Sequence, residues 1–330
     1  MVSLQTVGQL GENESLRRTV SRLSVSEHAI VGSGDDAAVV ATTDDRFVVT
    51  TDTMIEGHDF RLDWSSFYDL GFKAVATNLS DVAAMGATPA WGLLALTLPA
   101  TDEPWIKEFA AGFLELARQH DLALVGGDTT RGPLSVTVQL VGYVPQGRGL
   151  RRSGAQVGDV VLMSGTLGDA AAGLHDSNDY LRQRFDYPTP RIALGESLLD
   201  VASAAMDVSD GLLADLAKLT AASGVGATLS IDSLPLSNEL VAVKGLDGAR
   251  RLALTGGDDY ELLFTMPQAR WAEWQKGLAD QSAAYQPVAI TPIGHIEAHD
   301  GLRMTLAGKP VDCAALGIER SGWDHFSISA

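Results

Sequence analysis

The 330-residue chain carries a single cysteine, Cys313. No disulfide can form within it, which fits a reducing compartment. It has no stretch of about 18 apolar residues, so no transmembrane helix is expected. The opening residues, MVSLQTVGQLGENE, lack a basic segment followed by an apolar one. These absences point to a cytoplasmic protein with no membrane partner. Cationic residues are also scarce: 24 Lys and Arg stand against 42 Asp and Glu, a net charge of −18, with no run of basic residues longer than two. Such a chain repels polyanions, which argues against nucleic acid as a partner. There is no G-x-x-x-x-G-K-[ST] phosphate loop, no H-E-x-x-H or other zinc spacing among the seven histidines, and no G-x-S-x-G elbow. Gly32-Ser33-Gly34-Asp35-Asp36-Ala37 fits the loose dinucleotide pattern G-x-G-x-x-A, but places two carboxylates where a pyrophosphate would approach.

What is present is a globular composition, 45% hydrophobic and 20% charged, which excludes intrinsic disorder and supplies a core. The length suggests two domains. Phe47 to Thr51 reads as a strand ending at Asp52. A helix begins at Ser66 and continues through Leu70, Ala74, Leu79 and Val82 to Gly86. Trp91–Leu98 reads as a buried strand. Thr101–Pro104 opens a helix whose stripe is Trp105, Ile106, Phe109, Phe113 and Leu116. Leu122–Val125 reads as a short strand ending in Gly126-Gly127-Asp128, and Val136–Val144 as another strand. The segment PQGRGLRRSGAQ (145–156) lacks apolar periodicity and marks the domain boundary, giving domains 1–148 and 149–330. Beyond it come a strand at Asp159–Ser164, a helix from Thr189-Pro190 to about Ala205, and a helix capped by Ser209 that ends near Gly224. Strands follow at 226–231, 260–266 and 288–296, with a hairpin at Gly308-Lys309.

One arrangement recurs: an apolar strand or helix followed by aspartate beside Gly, Ser or Thr. It occurs at Gly34-Asp35-Asp36-Ala37, Thr50-Thr51-Asp52-Thr53, Asn78-Leu79-Ser80-Asp81, Gly126-Gly127-Asp128-Thr129-Thr130, Asp207-Val208-Ser209-Asp210-Gly211 and Gly257-Asp258-Asp259-Tyr260-Glu261. Each alone is also ordinary turn or cap chemistry. Together they predict carboxylates converging from several element ends. Two carboxylates about 4 Å apart at an effective dielectric near 20 repel by roughly 4 kcal/mol. No matching set of lysines or arginines adjoins them in the sequence, so divalent cations are the expected counter-charge. Oxygen donors without Cys or His select Mg²⁺, Mn²⁺ or Ca²⁺. Ser209-Asp210-Gly211 at a helix start is expected to offer backbone N–H groups to a phosphate, and Arg151-Arg152 to supply either a phosphoryl-neutralising arginine or a solvated basic turn.

The ordered set GSGDDAAV, TTDTMIEG, NLSDVAAMGATP, GGDTTRGP, DVSDGL, GGDDYEL and GWDHF resembles the thiamine-monophosphate kinases, of the aminoimidazole ribonucleotide synthetase-like superfamily, from about residue 28 to 326. The resemblance implies an α+β, two-domain fold. Its N-terminal sheet forms a barrel across a homodimer interface, and its C-terminal α/β domain completes the ATP and substrate site. It implies ATP as co-substrate, thiamine monophosphate as acceptor and several Mg²⁺ ions. Carried over by position, the metal ligands are Asp36, Thr50, Thr51, Asp52, Asp81, Asp128, Asp207 and Asp210. The ATP contacts are Gly127, Asp128, Arg152 and Ser209, and the substrate contacts are Asp59, Asp258 and Trp323. Asp52, Asp128, Asp210 and Arg152 are expected to carry the chemistry. Two positions depart from the family: Asp59 stands where many relatives have His, leaving His58 as an alternative contact, and Asp258 stands where Glu is common. Another ATP-using enzyme of the superfamily, or a non-catalytic Mg–nucleotide sensor, remains the competing expectation.

Overall fold

A computed structural model describes residues 29–31, 39–40, 46–100, 103–176, 178–280 and 288–323; Asp36 lies outside these. The chain divides into two compact units, Met1–Val82 with Ala87–Gly147, and Ala83–Gly86 with Arg148–Ala330. Both carry mixed sheets in which antiparallel pairs outnumber parallel ones, an α+β arrangement.

In the first unit, β1 (Ala29–Val31) and β2 (Val39–Val40) form a two-stranded ribbon. The main sheet holds β3 (Arg46–Ile55), β4 (Thr88–Leu98), β5 (Ala123–Arg131) and β6 (Ser135–Val144) in the order β3-β6-β4-β5. Strand β3 does not end at Asp52. Its ladder with β6 runs unbroken from Arg46↔Val144 to Ile55↔Ser135, with Asp52 opposite Val138. Cross-strand pairing therefore overrides the weak strand propensity of aspartate. Likewise β5 passes straight through Gly126-Gly127-Asp128, pairing in parallel with β4. At Gly127 an added Cβ would stand 1.9 Å from the Leu94 carbonyl oxygen, so only glycine lets the strands approach here.

Helix α1 (Phe67–Ala84) begins with a reciprocal cap. The Asp69 carboxylate accepts from the Ser66 N–H and hydroxyl, and the Asp69 N–H donates to the Ser66 hydroxyl. Helix α2 (Glu103–Gln119) buries Phe109, Phe113 and Leu116. Its aromatic stripe continues onto α1 through Phe67, whose ring lies 5.1 Å from that of Trp105. Burying each such side chain contributes about 1.5–3 kcal/mol.

The second unit is built on seven strands: β7 (Asp159–Ser164), β8 (Ala204–Val208), β9 (Gly226–Ser230), β10 (Glu261–Pro267), β11 (Ile290–Glu297), β12 (Gly301–Leu306) and β13 (Lys309–Val311). Their order is β13-β12-β9-β11-β7-β10-β8, and only β12–β9 is parallel. Around them lie α3 (Asp169–Gly173), α4 (Asp179–Asp186), α5 (Ile192–Leu198), α6 (Leu212–Ser223), α7 (Asn238–Thr255) and α8 (Gln268–Asp280). The helix expected from Thr189 to Ala205 is two elements. It stops at Leu198, and Ala204–Val208 is a fully buried strand paired with β10. Helix α6 is capped by Gly211 rather than Ser209, and it ends at Gly224 in the left-handed conformation.

Candidate active site

Each unit gathers its own predicted residues. In the first, the alternation of β3 turns Thr50, Asp52 and Met54 inward, while Phe47, Val49, Thr51, Thr53 and Ile55 face out. The Thr50 hydroxyl donates to Asp81 on α1 at 2.5 Å. The Asp52 carboxyl is pushed up from 3.8 to about 6. Burial contributes most, and the charges of Asp81 and Asp59 add to it, while a hydrogen bond from Thr77 opposes the rise. Asp59 lies in the turn after β3 and accepts the Ile55 N–H at 2.8 Å; His58 beside it is exposed. Thr51 sits on the outer face, donating to the Val138 carbonyl, and Asp128 is exposed on β5, where it accepts the Thr129 N–H.

These oxygens suit a hard cation. Asn78, one helical turn before Asp81, has a buried Oδ1 that accepts no hydrogen bond among the described residues. With two carboxylates and a hydroxyl nearby, the donor set is all oxygen, as Mg²⁺ requires. Among the described residues, no three His, Cys, Asp or Glu side chains lie close enough together to hold a metal ion. Asp52 and Asp81 thus meet as a pair, supplemented by neutral oxygens.

In the second unit, three separated motifs join at the C-terminal end of β8. The Asp258 N–H donates to the Ser209 carbonyl at 2.9 Å, and the Trp323 N–H donates to the Asp210 carbonyl at 2.9 Å. Asp207 is buried on β8 itself. Asp258 has a left-handed φ of 69° and accepts from the Tyr260 hydroxyl; the Trp323 side chain is 50% exposed and so presents its ring to solvent.

Two expectations about this end are corrected. The N–H groups of Ser209 and Asp210 are not available to a phosphate, because both donate to the buried Asp215 carboxylate at 3.0 and 2.9 Å. Nor are the motif carboxylates without cationic neighbours. Lys218 bridges Asp210 and Asp215, and Glu261 accepts from Arg191 at 2.7 and 2.5 Å, from Arg184 at 2.8 Å and from Ser164 at 2.5 Å. Asp259 is fully buried against the N–H groups of Gly168 and Ala170, and burial pushes its carboxyl up to about 8. Only Lys218, three residues beyond Asp215, had a local signal, the i,i+3 charge spacing on a helix.

Arg152 lies elsewhere in the unit. Its carbonyl accepts from Ser223, the last residue of α6, whereas Asp210 immediately precedes that helix. Twelve residues at 1.5 Å each separate the two ends by about 18 Å.

Residues 34–144 match the family description "AIR synthase related protein, N-terminal domain", and residues 156–306 match "AIR synthase related protein, C-terminal domain". The thiamine-monophosphate kinase of Salmonella typhimurium is 44% identical over 320 residues, 93% of this chain and 94% of its own. The chain belongs to the thiamine-monophosphate kinase family. The crystal structure of thiamine-monophosphate kinase from Stenotrophomonas maltophilia is 43% identical with a TM-score of 0.79, covering 91% of this chain and 96% of that one. The structure of AaThiL complexed with AMPPCP and TMP is 32% identical with a TM-score of 0.74, covering 99% and 100%. Among the described residues, no helix of this family member is long and apolar enough to cross a membrane.

Proposed function

We propose that this chain transfers the γ-phosphoryl group of ATP to the phosphate of thiamine monophosphate, giving thiamine diphosphate and ADP. The observation that carries the reading is the AaThiL complex. A relative aligned over 99% of this chain holds AMPPCP, an ATP analogue, together with TMP, and close relatives named thiamine-monophosphate kinase reach 44% identity.

The bond that forms joins the γ-phosphorus to an acceptor phosphate oxygen; the bond that breaks joins the γ-phosphorus to the β,γ-bridging oxygen, and ADP leaves with that electron pair. The acceptor is already anionic near neutral pH, its second pKa being about 6, so no general base is required. Mg²⁺ supplies charge neutralisation for the phosphates when bound. The residues fitted to hold it are Asp52, Asp81 and Thr50, with Thr51, Asp128, Asp207, Asp210 and Asp36 carried over from the family. Gly127, Asp128, Arg152 and Ser209 contact ATP. Asp258 and the exposed ring of Trp323, joined through Ser209 and Asp210, bind the acceptor, whose cationic thiazolium suits a carboxylate and an aromatic face. Asp59, with His58 as the alternative, is carried over from the family as a further substrate residue.

The same reading includes a homodimer. Phe47, Val49 and Ile55 on the outer face of β3 are 44%, 68% and 43% exposed, an apolar surface suited to a second copy of the sheet closing a barrel. Domain 1–148 then serves metal, nucleotide and dimerisation, domain 149–330 serves ATP and acceptor, and the enzyme works in the cytoplasm. An ADP-release assay with thiamine monophosphate tests the activity. ADP formation that requires both Mg²⁺ and the acceptor is expected. ATP binding without turnover would favour the sensor, and turnover only with a carbonyl acceptor would favour another superfamily activity.

A further inference from the structure

Arg152 presents an unusual combination: a tied backbone beneath a side chain that none of the described residues engages. The Arg151 carbonyl accepts the Ala205 N–H at 2.8 Å. The Ser223 hydroxyl donates to the Arg152 carbonyl at 3.0 Å and accepts from the N–H groups of Gly154 at 3.1 Å and Ala155 at 3.2 Å. One side chain thus uses its donor and both lone pairs on three residues of the same loop. Gly154 adopts φ 134°, and a Cβ there would stand 2.3 Å from the Ser203 carbonyl oxygen, so the loop is seated from its other side as well. The Arg152 side chain is exposed, and among the described residues its guanidinium makes no hydrogen bond or ion pair. In a chain of net charge −18, an arginine on a tied backbone with no carboxylate partner among the described residues is positioned for an anion from outside.

We infer that Ser223 is the positioning residue for Arg152: by tying the 152–155 loop to the end of α6 it sets the guanidinium for the nucleotide. The inference rests on the assignment of Arg152 to ATP made above, and adds to it a residue that touches neither nucleotide nor acceptor. Order is the advantage. A guanidinium on a loose loop loses backbone freedom on binding, whereas this loop has lost it on folding.

The test is steady-state kinetics on Ser223→Ala, Ser223→Thr, Arg152→Ala and the Ser223→Ala/Arg152→Ala double variant, with thermal melts to confirm folding. Loss of the Ser223 hydroxyl is expected to raise KM for ATP about fivefold, the scale of one hydrogen bond. KM for thiamine monophosphate and kcat should stay within about twofold. The threonine variant, which keeps the hydroxyl, restores the wild-type value, and the double variant is no worse than Arg152→Ala alone. An unchanged KM for ATP in Ser223→Ala, or penalties that add fully in the double variant, would overturn the inference. If Arg152→Ala itself leaves KM for ATP unchanged, its nucleotide role fails and the inference fails with it. Should the wild type lack turnover, the kinase reading fails separately, and titration of the same variants with AMPPCP and Mg²⁺ decides the Ser223 question by the same pattern.

Discussion

Asp52 costs the metal-free protein stability, and Asp52→Asn should recover it. The carboxyl is raised from 3.8 to about 6 by burial and by the charges of Asp81 and Asp59. At about 1.4 kcal/mol per pH unit, the rise from 3.8 to about 6 corresponds to about 3 kcal/mol. The sign follows from proton binding. Between 3.8 and about 6 the folded protein holds a proton that the unfolded chain has released, so stability falls as the pH rises through this window. The contribution is therefore fully present below 3.8 and lost above about 6. Asparagine has the same shape, keeps an oxygen for the Thr77 hydrogen bond and cannot ionise. In EDTA, urea unfolding of Asp52→Asn and wild type should give nearly equal stabilities at about pH 3.5, and the variant should be up to about 3 kcal/mol more stable at about pH 8. Turnover should be lost. Curves that stay parallel across that range, or a variant less stable than wild type at the upper end, would refute the account of Asp52.

Glu261→Ala should destabilise the protein by about 3–5 kcal/mol in urea unfolding, because it removes the buried carboxylate shared by two partly buried guanidinium groups; a loss below about 1 kcal/mol would mean that the Arg184 and Arg191 contacts are dispensable. Gly127→Ala forces a methyl against the Leu94 carbonyl and should lower the melting temperature or the soluble yield, whereas Gly126→Ala, where the nearest neighbour is the flexible end of Leu93 at 3.3 Å, controls for a lost glycine in the same strand; equal melts for the two would contradict the strand spacing. Asp215→Ala removes the acceptor of the Ser209 and Asp210 N–H groups and a Lys218 partner, and should cost about 1–3 kcal/mol as buried donors are left unmet; calorimetry showing no change would indicate that other acceptors take those N–H groups.

The elements most legible in the sequence are those fixed by local chemistry. Ser66 and Asp69 announce the start of α1 because a reciprocal cap is written in adjacent residues, and Asp159–Ser164 reads as a strand from its apolar run alone. The misread elements are those decided by distant partners. Asp52 looks like a strand end, yet the ladder to β6 carries β3 on to Ile55. Ala204-Ala205 reads as helix, yet pairing with β10 makes it strand. At the site, the residue types in the aspartate motifs are visible but their counter-charges are not. Arg184 and Arg191 reach Glu261 across 77 and 70 positions, and no local spacing encodes that meeting. The backbone N–H groups after β8 look available only until the fold brings in Asp215, one turn along α6.

The carboxylates of the aspartate motifs consequently fall into two physical kinds. Asp210, Asp259 and Glu261 are met by donors the protein provides: Lys218, backbone N–H groups, Arg184, Arg191 and Ser164. A cation added there would compete with groups already in place. Asp52 differs in what opposes the rise: burial, Asp81 and Asp59 push its carboxyl up, and only a Thr77 hydrogen bond, with no cation or backbone N–H, pulls it down. Sequence proximity to Gly or Ser does not separate these kinds; the sign of the neighbouring charge does. A ligand present at 100 times its dissociation constant stabilises the folded state by about 2.7 kcal/mol. That nearly matches the roughly 3 kcal/mol that ionised Asp52 costs. Magnesium at the first unit's carboxylate pair would therefore offset the repulsion that the fold alone leaves in place, which is why the same residue can be a defect of the metal-free protein and a requirement of the working one.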